Sequence, residues 1–159
     1  MTEAPSPSQR APRLVEITDD NFDAAVRVQV REDQNRFVAP VLRSLAQAYT
    51  NRDTAWPRLL MDGDEAVGFM MLQFDPEEED PDFQAEIWRL NIDEKHQGKG
   101  YGRFAVEGAL AEARRRGLSR VTVSWVPGEA SPEDFYLGLG FRKTGRVEDS
   151  EVIGEIFLD

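Results

Sequence analysis

The sequence predicts an α/β fold in which a mixed central β-sheet is flanked by helices, in the order βααβββαβαββ. Three observations predict it. Residues 85–92 are strand-like, a glycine-rich loop follows them, and residues 103–116 then carry apolar residues at helical spacing. Further strand-like runs stand on both sides of this unit. A chain of 159 residues is long enough for one domain with its own core.

The elements before the glycine loop follow from local patterns of apolar residues, caps and turns. Thr18 or Asp19 is predicted to cap the first helix, and Pro40 to begin the second. In order, the predicted elements are a strand at 13–18, a helix through Phe22 to Val30, a polar break at 31–35, a helix from about 40 to 49, strands at 54–61 and 66–74 joined by a turn at 62–64, and the strand at 85–92.

The elements after the loop are predicted in the same way. Ser131 and Pro132 are typical of a helix start, with Ser as the N-cap and Pro at the first helical position. Gly138 and Gly140 then end that helix after few residues. In order, the predicted elements are a helix at 103–116, a strand at 121–125, this short helix, and a closing hairpin of strands at 141–146 and 152–158.

The chain is acidic, with a net charge of −11 at pH 7. This charge argues against nucleic acid or an anionic membrane as a partner. No apolar run approaches the ~20 residues of a membrane span. Residues 95–116 are an exception to the acidic character of the chain, because they contain six basic and two acidic residues. A basic segment beside the glycine loop suits an anionic cofactor, and the acidic remainder of the chain suits a cationic substrate. The alternative for the basic residues 114–116 is that they only complement the negative dipole at the C-terminal end of the helix.

The N-terminal residues and the absence of cysteine further restrict the class of protein. Residues 1–12 contain prolines and serines without a hydrophobic segment, so we expect a disordered lead-in and no secretory signal. Residues 13–159 are expected to be a single domain. The absence of cysteine excludes disulfides, cysteine-ligated metals and a thiol nucleophile. We therefore expect a cytoplasmic protein without a bound metal.

The strongest functional signal is the loop Gln97-Gly98-Lys99-Gly100-Tyr101-Gly102. Glycines between a strand and a helix let main-chain N–H groups approach an anion at the positive end of the helix dipole. A Walker A loop is excluded because no Lys-Ser or Lys-Thr pair is present, and a dinucleotide fingerprint because Arg103 stands where its third glycine belongs. The remaining pattern, Gln-x-x-Gly-x-Gly, predicts a pyrophosphate-binding loop, with a plain glycine-rich turn as the alternative.

This pattern resembles motif A of the GNAT superfamily of N-acetyltransferases, and the element order resembles the GNAT fold after residue 12. The resemblance implies that acetyl-CoA is the co-substrate and that the loop holds its pyrophosphate. It also implies that Leu90, Asn91 and Ile92 line the acetyl and pantetheine end, with the Ile92 N–H as oxyanion donor. The implied cofactor-binding residues of the loop and helix start are Gln97, Gly98, Lys99, Gly100, Tyr101, Gly102 and Arg103.

Acyl transfer from a thioester needs an acid for the departing thiolate, and Tyr136 is the candidate. It stands in Phe135-Tyr136-Leu137-Gly138-Leu139-Gly140-Phe141, which is similar to the family's Tyr-x-x-x-Gly-Phe segment. The resemblance implies that its hydroxyl donates to the CoA sulfur. The alternative is a core tyrosine whose hydroxyl has some other partner.

Glu86 is the candidate general base, which must remove a proton from an ammonium group of pKa about 10.4. It stands eleven positions before Gln97, the spacing found in the histone-acetylating branch of the superfamily. Strand alternation predicts that Glu86 shares a face with Trp88, Leu90 and Ile92, and a carboxylate beside a tryptophan has a raised pKa. A solvated acid at a strand end is the alternative. His96 is expected to be a surface or phosphate contact and not the base.

The acceptor amine is indicated by weaker signals. Phe37-Val38-Ala39-Pro40 and Val67-Gly68-Phe69-Met70-Met71-Leu72 look like the spermine/spermidine acetyltransferase branch, which implies a small polyamine-like substrate. Glu32 and Asp33 are the preferred acceptor carboxylates, and the acidic loop at 75–82 is expected to be solvated. Two rivals stay open: an acetyltransferase for an aminoglycoside, amino acid or protein amine, and a non-catalytic acyl-CoA-binding regulatory domain.

Two further points concern the family pattern. Glu129 and Pro132 stand where the family commonly has Asn and Ala, so the turn at 127–128 is expected to reroute the chain beside the cofactor. The resemblance also allows a homodimer, because dimers are common in the family.

Overall fold

The computed structural model describes residues 11–159. Residues 1–10, most of the predicted lead-in, lie outside the described residues. Within the described part, the strands are β1 (Arg13–Val15), β2 (Ala55–Asp62), β3 (Glu65–Phe74), β4 (Ala85–Ile92), β5 (Arg120–Trp125), β6 (Arg142–Glu148) and β7 (Glu151–Phe157). The helices there are α1 (Phe22–Arg27), α2 (Val41–Thr50), α3 (Tyr101–Arg115) and α4 (Glu133–Gly138). This order confirms the predicted βααβββαβαββ succession.

The strands form one mixed sheet in the order β1-β2-β3-β4-β5-β7-β6. Neighbours are antiparallel except β4 and β5, which are parallel and pair only at Glu86 with Thr122 and at Ile87 with Val123. Beyond Ile87 the two strands no longer pair. This separation leaves a gap in the middle of the sheet, bounded by the C-terminal halves of β4 and β5.

Two apolar cores lie on the two faces of the sheet. The α3 core packs the apolar stripe of α3, including Ala105 and Ala109, against β3, β4 and β5. The α1–α2 core packs Ala25 and Val41 against the other face of β2 and β3. Burying both faces explains why β3 is apolar almost throughout instead of alternating.

A β-bulge in β4 overturns the simple alternation expected for Glu86. Met71 pairs with Arg89 but Leu72 pairs with Ile87, so Trp88 is an extra residue without a partner on β3. Trp88 packs with the α1–α2 core, whereas Leu90 and Ile92 pack with the α3 core. The expectation that Glu86 shares a face with Leu90 and Ile92 is therefore wrong, because the bulge reverses the pleat after Trp88.

Helix boundaries differ from the prediction by a few residues. The first helix begins after Asn21 and not after Thr18 or Asp19, because the Asn21 side chain closes a turn by accepting from the Thr18 N–H at 2.8 Å. The N-cap of α4 is Pro132 and not Ser131, so the predicted helix start is one residue early, although the Ser131 hydroxyl accepts from the Glu133 N–H at 3.2 Å.

The acidic loop at 75–82 is not simply solvated. Asp82 pairs with Arg120 on β5 at 2.6 Å and with Arg146 on β6 at 2.9 Å, and Asp80 also pairs with Arg146, at 2.7 Å. These pairs tie the connector between β3 and β4 to the far half of the sheet. The expectation of a solvated loop is wrong for these two acids.

Candidate functional site

A large cleft lies at the gap between β4 and β5 and has a volume of about 1060 Å³. It is bordered by β4, β5, the loop before α2, the start of α3, and α4. Among the predicted site residues, those that line it are Glu86, Leu90, Ile92, Gln97, Gly98, Gly100, Tyr101, Gly102, Arg103 and Tyr136. The sequence thus predicted residues from four separate elements that the fold brings to one cleft.

The glycine loop presents the start of α3 to the cleft. Gly98 and Gly100 have φ of +76° and +88°, which other residues adopt only with strain. Within the described residues, no side chain caps the helix, whose N-cap is Gly100. An uncapped helix of 15 residues leaves main-chain N–H groups and the positive dipole end for an anion. Arg103 lies on the first turn, exposed and 3.4 Å from Glu107.

Other side chains of the loop have structural partners. The Gln97 amide donates to the Ile92 carbonyl at 3.0 Å and to Gln34 at 2.7 Å, so it joins the end of β4 to the segment before α2. The Tyr101 hydroxyl donates to Asp62, and its side chain is buried. Lys99 is exposed and does not line the cleft. For Gln97 and Tyr101, only the main chain is left to meet a cofactor.

The three residues expected at the acetyl end divide between the two faces of the sheet. Leu90 and Ile92 line the cleft. Asn91 is 2% exposed, and its side chain lies on the opposite face of β4 from Leu90 and Ile92, where it donates to the Ala39 carbonyl at 3.0 Å. Asn91 therefore fixes the loop before α2, which forms the opposite wall of the cleft.

Tyr136 is held in place by three aromatic rings. Its ring stacks on Trp125 with centroids 5.7 Å apart and meets Phe135 and Phe141 edge-on at 5.0 and 5.6 Å. Burial raises the pKa of the phenol above its ordinary value, so it stays protonated at neutral pH. In the described chain, no group hydrogen-bonds to the hydroxyl of this cleft-lining residue. It can donate a proton to a group that enters the cleft.

Glu86 has the electrostatics of a base that works near neutrality. The pKa of its carboxyl is raised to about 7, chiefly by burial and secondly by the nearby Glu151 carboxylate, while Arg89 opposes the rise. The main cause is the loss of water, as the sequence predicted. The second cause, Glu151, was missed because it lies on β7, 65 positions along the chain from Glu86.

The charged residues of the cleft that sequence reasoning missed include Arg43 on α2, Arg89 on β4 and Glu151 on β7. Regular alternation would have turned Arg89 to the α3 side. The bulge at Trp88 brings it instead to the side of α2, where its Nη2 donates to Gln47 at 2.9 Å. No local sequence signal marks these residues, because a bulge and a strand pairing place them.

The remaining candidates lie at the edges. Glu32 and Asp33 are exposed on a single 3₁₀ turn and line a separate shallow depression with Glu129, not the main cleft. His96 lines the cleft with its Nε2 3.6 Å from Glu65, which fits an edge contact. Glu129 is held by its main chain, since its carbonyl accepts from Arg36 at 3.2 Å.

Comparison with known proteins gives one consistent answer. Residues 13–141 match the family described as "Acetyltransferase (GNAT) family". The chain is 26% identical to N-acetyltransferase 8B of Mus musculus over 76% of its length and 54% of that protein. It is 26% identical to the spermine/spermidine N(1)-acetyltransferase of Bacillus subtilis (strain 168), over 83% of this chain and 88% of that one. It thus spans about half the length of the mammalian relatives but most of the bacterial one.

A solved structure resembles the fold as well. The PaiA N-acetyltransferase of Thermoplasma acidophilum in complex with coenzyme A superposes with a TM-score of 0.67, covering 93% of this chain and 99% of that one at 12% identity. This similarity confirms the predicted fold class. In residues 11–159, no helix is both long and apolar enough to cross a membrane.

Proposed function

The chain belongs to the acetyltransferase (GNAT) family, and from this membership we propose that it transfers the acetyl group of acetyl-CoA directly to a primary amine of a small molecule. The observation that carries the proposal is the single cleft bordered by the glycine loop, Glu86 and Tyr136. An anion-binding helix start, a base of pKa near 7 and a protonated phenol are the three groups that this chemistry requires.

In the proposed reaction, cofactor and amine bind together in the cleft. Main-chain N–H groups at residues 98–103 hold the diphosphate, with Lys99 and Arg103 as additional cations. Leu90 and Ile92 contact the acyl arm, and the Ile92 N–H donates to the developing oxyanion. The chain supplies no covalent nucleophile, because the thioester is already activated.

The proton transfers balance the reaction. Glu86 accepts a proton from the attacking amine, directly or through water, while the new C–N bond forms at the thioester carbonyl. The C–S bond then breaks, and Tyr136 donates its proton to the departing thiolate. Each residue recovers its resting state by exchange with solvent, so the products are the N-acetylated amine and free CoA.

A polyamine-like acceptor is one finer candidate. The net charge of −11 supports it, because an acidic protein attracts polycations, and so does the similarity to the Bacillus enzyme. Glu32 and Asp33 stay the proposed carboxylates for such a substrate, at the depression beside the cleft. A cytoplasmic location and a homodimer also stay predictions.

The test is release of CoA thiol from acetyl-CoA by the purified chain, with spermidine, an aminoglycoside, the amino acids and a short peptide offered separately. We expect turnover with at least one small amine. Tight acetyl-CoA binding without turnover on any acceptor would identify a non-catalytic binding domain instead, and turnover on the peptide alone would contradict a small-molecule acceptor.

A further inference from the structure

One end of the cleft carries a cluster of four charged side chains. Arg43 comes from α2, Glu86 and Arg89 from β4, and Glu151 from β7; they are called the acceptor cluster below. Glu151 acts electrostatically on both Glu86 and Arg89, and Arg89 on Glu86. The four charges therefore lie close enough to influence one another.

No member of the acceptor cluster forms a salt bridge within residues 11–159. This contrasts with arginines elsewhere in the same sheet. Arg120, for example, pairs with Asp82 at 2.6 Å and with Glu155 at 2.7 Å. The cluster has two positive and two negative groups that approach without contact, which leaves each of them open to a ligand.

Arg89 is held in position by neutral acceptors. Its Nη1 donates to the Trp88 carbonyl at 3.0 Å and its Nη2 to the Gln47 side chain at 2.9 Å, while its buried Nε has no partner in the described chain. Burial lowers the pKa of the guanidinium, but arginine remains charged in proteins. A fixed, partly desolvated guanidinium without a carboxylate is unfavourable unless an anion arrives.

Arg43 adds a second guanidinium on the same wall. It is exposed on α2, lines the cleft and acts electrostatically on Arg89. Guanidinium groups are the side chains best suited to a carboxylate, because the planar fork can donate two parallel hydrogen bonds to it. Spermidine has no group that could use them, and its ammonium groups would be repelled.

The acidic half of the cluster suits the amine. Glu86, the proposed base, and Glu151 lie on the same side of the sheet as Arg89, because the bulge at Trp88 turned Arg89 to that side. Glu86 and Arg89 are three positions apart on β4, a main-chain span of roughly 10 Å that two long side chains can bridge. A molecule with an amine and a carboxylate a few bonds apart can therefore contact both halves at once.

We infer that the acceptor is an amino acid or another small amino-carboxylate, with its amine toward Glu86 and Glu151 and its carboxylate on Arg89 and Arg43. This inference rests on the proposed acetyl transfer and adds the substrate class. Arg89 and Arg43 are binding residues in this assignment. The two carboxylates bind the ammonium end of this substrate, and the two guanidiniums bind its carboxylate end.

The experiment compares each of the twenty amino acids with its own amide, which keeps the amine and side chain but removes the carboxylate. Spermidine is included as a cation without a carboxylate. Thiol release from acetyl-CoA is measured for the wild type, Arg89→Gln, Arg43→Gln and the control Arg114→Gln. Arg114 is exposed in the last turn of α3 and does not line the cleft.

We expect the best amino acid to exceed its amide by roughly 10- to 100-fold in kcat/KM, the range of a charge-assisted pair. Arg89→Gln and Arg43→Gln should each reduce that ratio at least about fivefold, mainly through KM for the acid, while the Arg114→Gln ratio stays at the wild-type value. If Arg89→Gln fails to fold, Arg43→Gln on the helix surface still decides the matter.

Two other outcomes separate this inference from the proposed function. Acetylation of spermidine, or of amides as fast as acids, would overturn the amino-carboxylate assignment and leave the acetyltransferase proposal intact. No turnover with any amine, despite acetyl-CoA binding, would overturn both.

Discussion

Glu86 on β4 pairs with Thr122 on β5, one residue before the two parallel strands separate. This position gives Glu86 a fixed main chain and places its carboxyl beside the gap in the sheet, where burial raises its pKa to about 7. The hydrogen-bonded part of the sheet thus positions the proposed base, and the unpaired part makes room for two substrates. Both follow from the short pairing between β4 and β5.

The first prediction concerns the role of Glu86 in catalysis. Wild-type kcat/KM should fall about tenfold for each pH unit below 7, because the base must be unprotonated. In Glu86→Gln, kcat/KM should be at least roughly 100-fold lower than in the wild type at pH 8, and it should no longer decrease as the pH falls below 7. Steady-state rates between pH 5.5 and 9 measure both. An acidic limb that persists in Glu86→Gln would assign the base elsewhere.

The second prediction concerns stability and follows from the same carboxyl. A carboxyl with a raised folded pKa favours the folded state below its unfolded pKa of 4.5, and that advantage is lost as the pH rises to about 7. Glu86→Gln should therefore be more stable than the wild type at pH 8, by up to about 3 kcal/mol. Urea unfolding at pH 5 and pH 8 measures the difference.

Glu77→Gln is the matched control, because Glu77 is an exposed acid of the acidic loop. Glu77→Gln should stay within about 0.5 kcal/mol of the wild type at pH 8, as is usual for a surface substitution. A Glu86→Gln variant that is less stable than the wild type at pH 8 would mean that the carboxylate has a structural partner.

The third prediction concerns Tyr136 as the acid. Tyr136→Phe keeps the ring stacked on Trp125 and removes only a hydroxyl to which no described group hydrogen-bonds. We expect kcat to fall roughly 100-fold while the Kd of acetyl-CoA and the Tm stay the same. Tyr49→Phe, at a tyrosine that is 68% exposed, should leave all three unchanged. An equal loss of cofactor affinity in Tyr136→Phe would indicate a binding role.

The fourth prediction concerns the glycine loop. Gly100→Ala puts a side chain at φ +88° without any steric contact, so it strains the backbone at the start of α3 by about 1 kcal/mol. Gly63→Ala imposes a similar strain at φ +60° in the turn between β2 and β3, away from the cleft. Both should lower the Tm alike, but only Gly100→Ala should weaken acetyl-CoA binding, measured by calorimetry. Equal affinities would place the diphosphate elsewhere.

The fifth prediction concerns the ion pairs of the acidic loop. Asp82→Asn removes the carboxylate shared by Arg120 and Arg146, whose side chains are partly buried. We expect a loss of about 1–2 kcal/mol in urea unfolding, below the value of a fully buried pair because solvent screens the network. Glu79→Gln, an exposed neighbour, should be neutral. A neutral Asp82→Asn would show that the network adds nothing to stability.

Local sequence patterns predicted the order of elements because caps, glycines and alternation act over a few residues. The loop at 97–102 was found in this way, and so was the start of α4 to within one residue. Tyr136 and Glu86 came from resemblance to a family, and the fold places both at the cleft. Their chemical roles are still to be tested.

What the sequence could not predict depends on pairing between distant segments. The bulge at Trp88 has no local signature, yet it decides on which face Arg89 lies. Glu151 reaches the cleft because β7 pairs beside β5, a non-consecutive arrangement. The preference for Glu32 and Asp33 over the acidic loop at 75–82 came from resemblance, whereas the cleft charges became visible only in three dimensions.

The most direct test of the central claim is the position of bound acetyl-CoA in a crystal structure of this chain. We expect diphosphate oxygens about 3 Å from main-chain nitrogens at residues 98–103 and the thioester sulfur within about 3.5 Å of the Tyr136 hydroxyl. A diphosphate bound away from the glycine loop, or a sulfur more than roughly twice that distance from Tyr136, would contradict it.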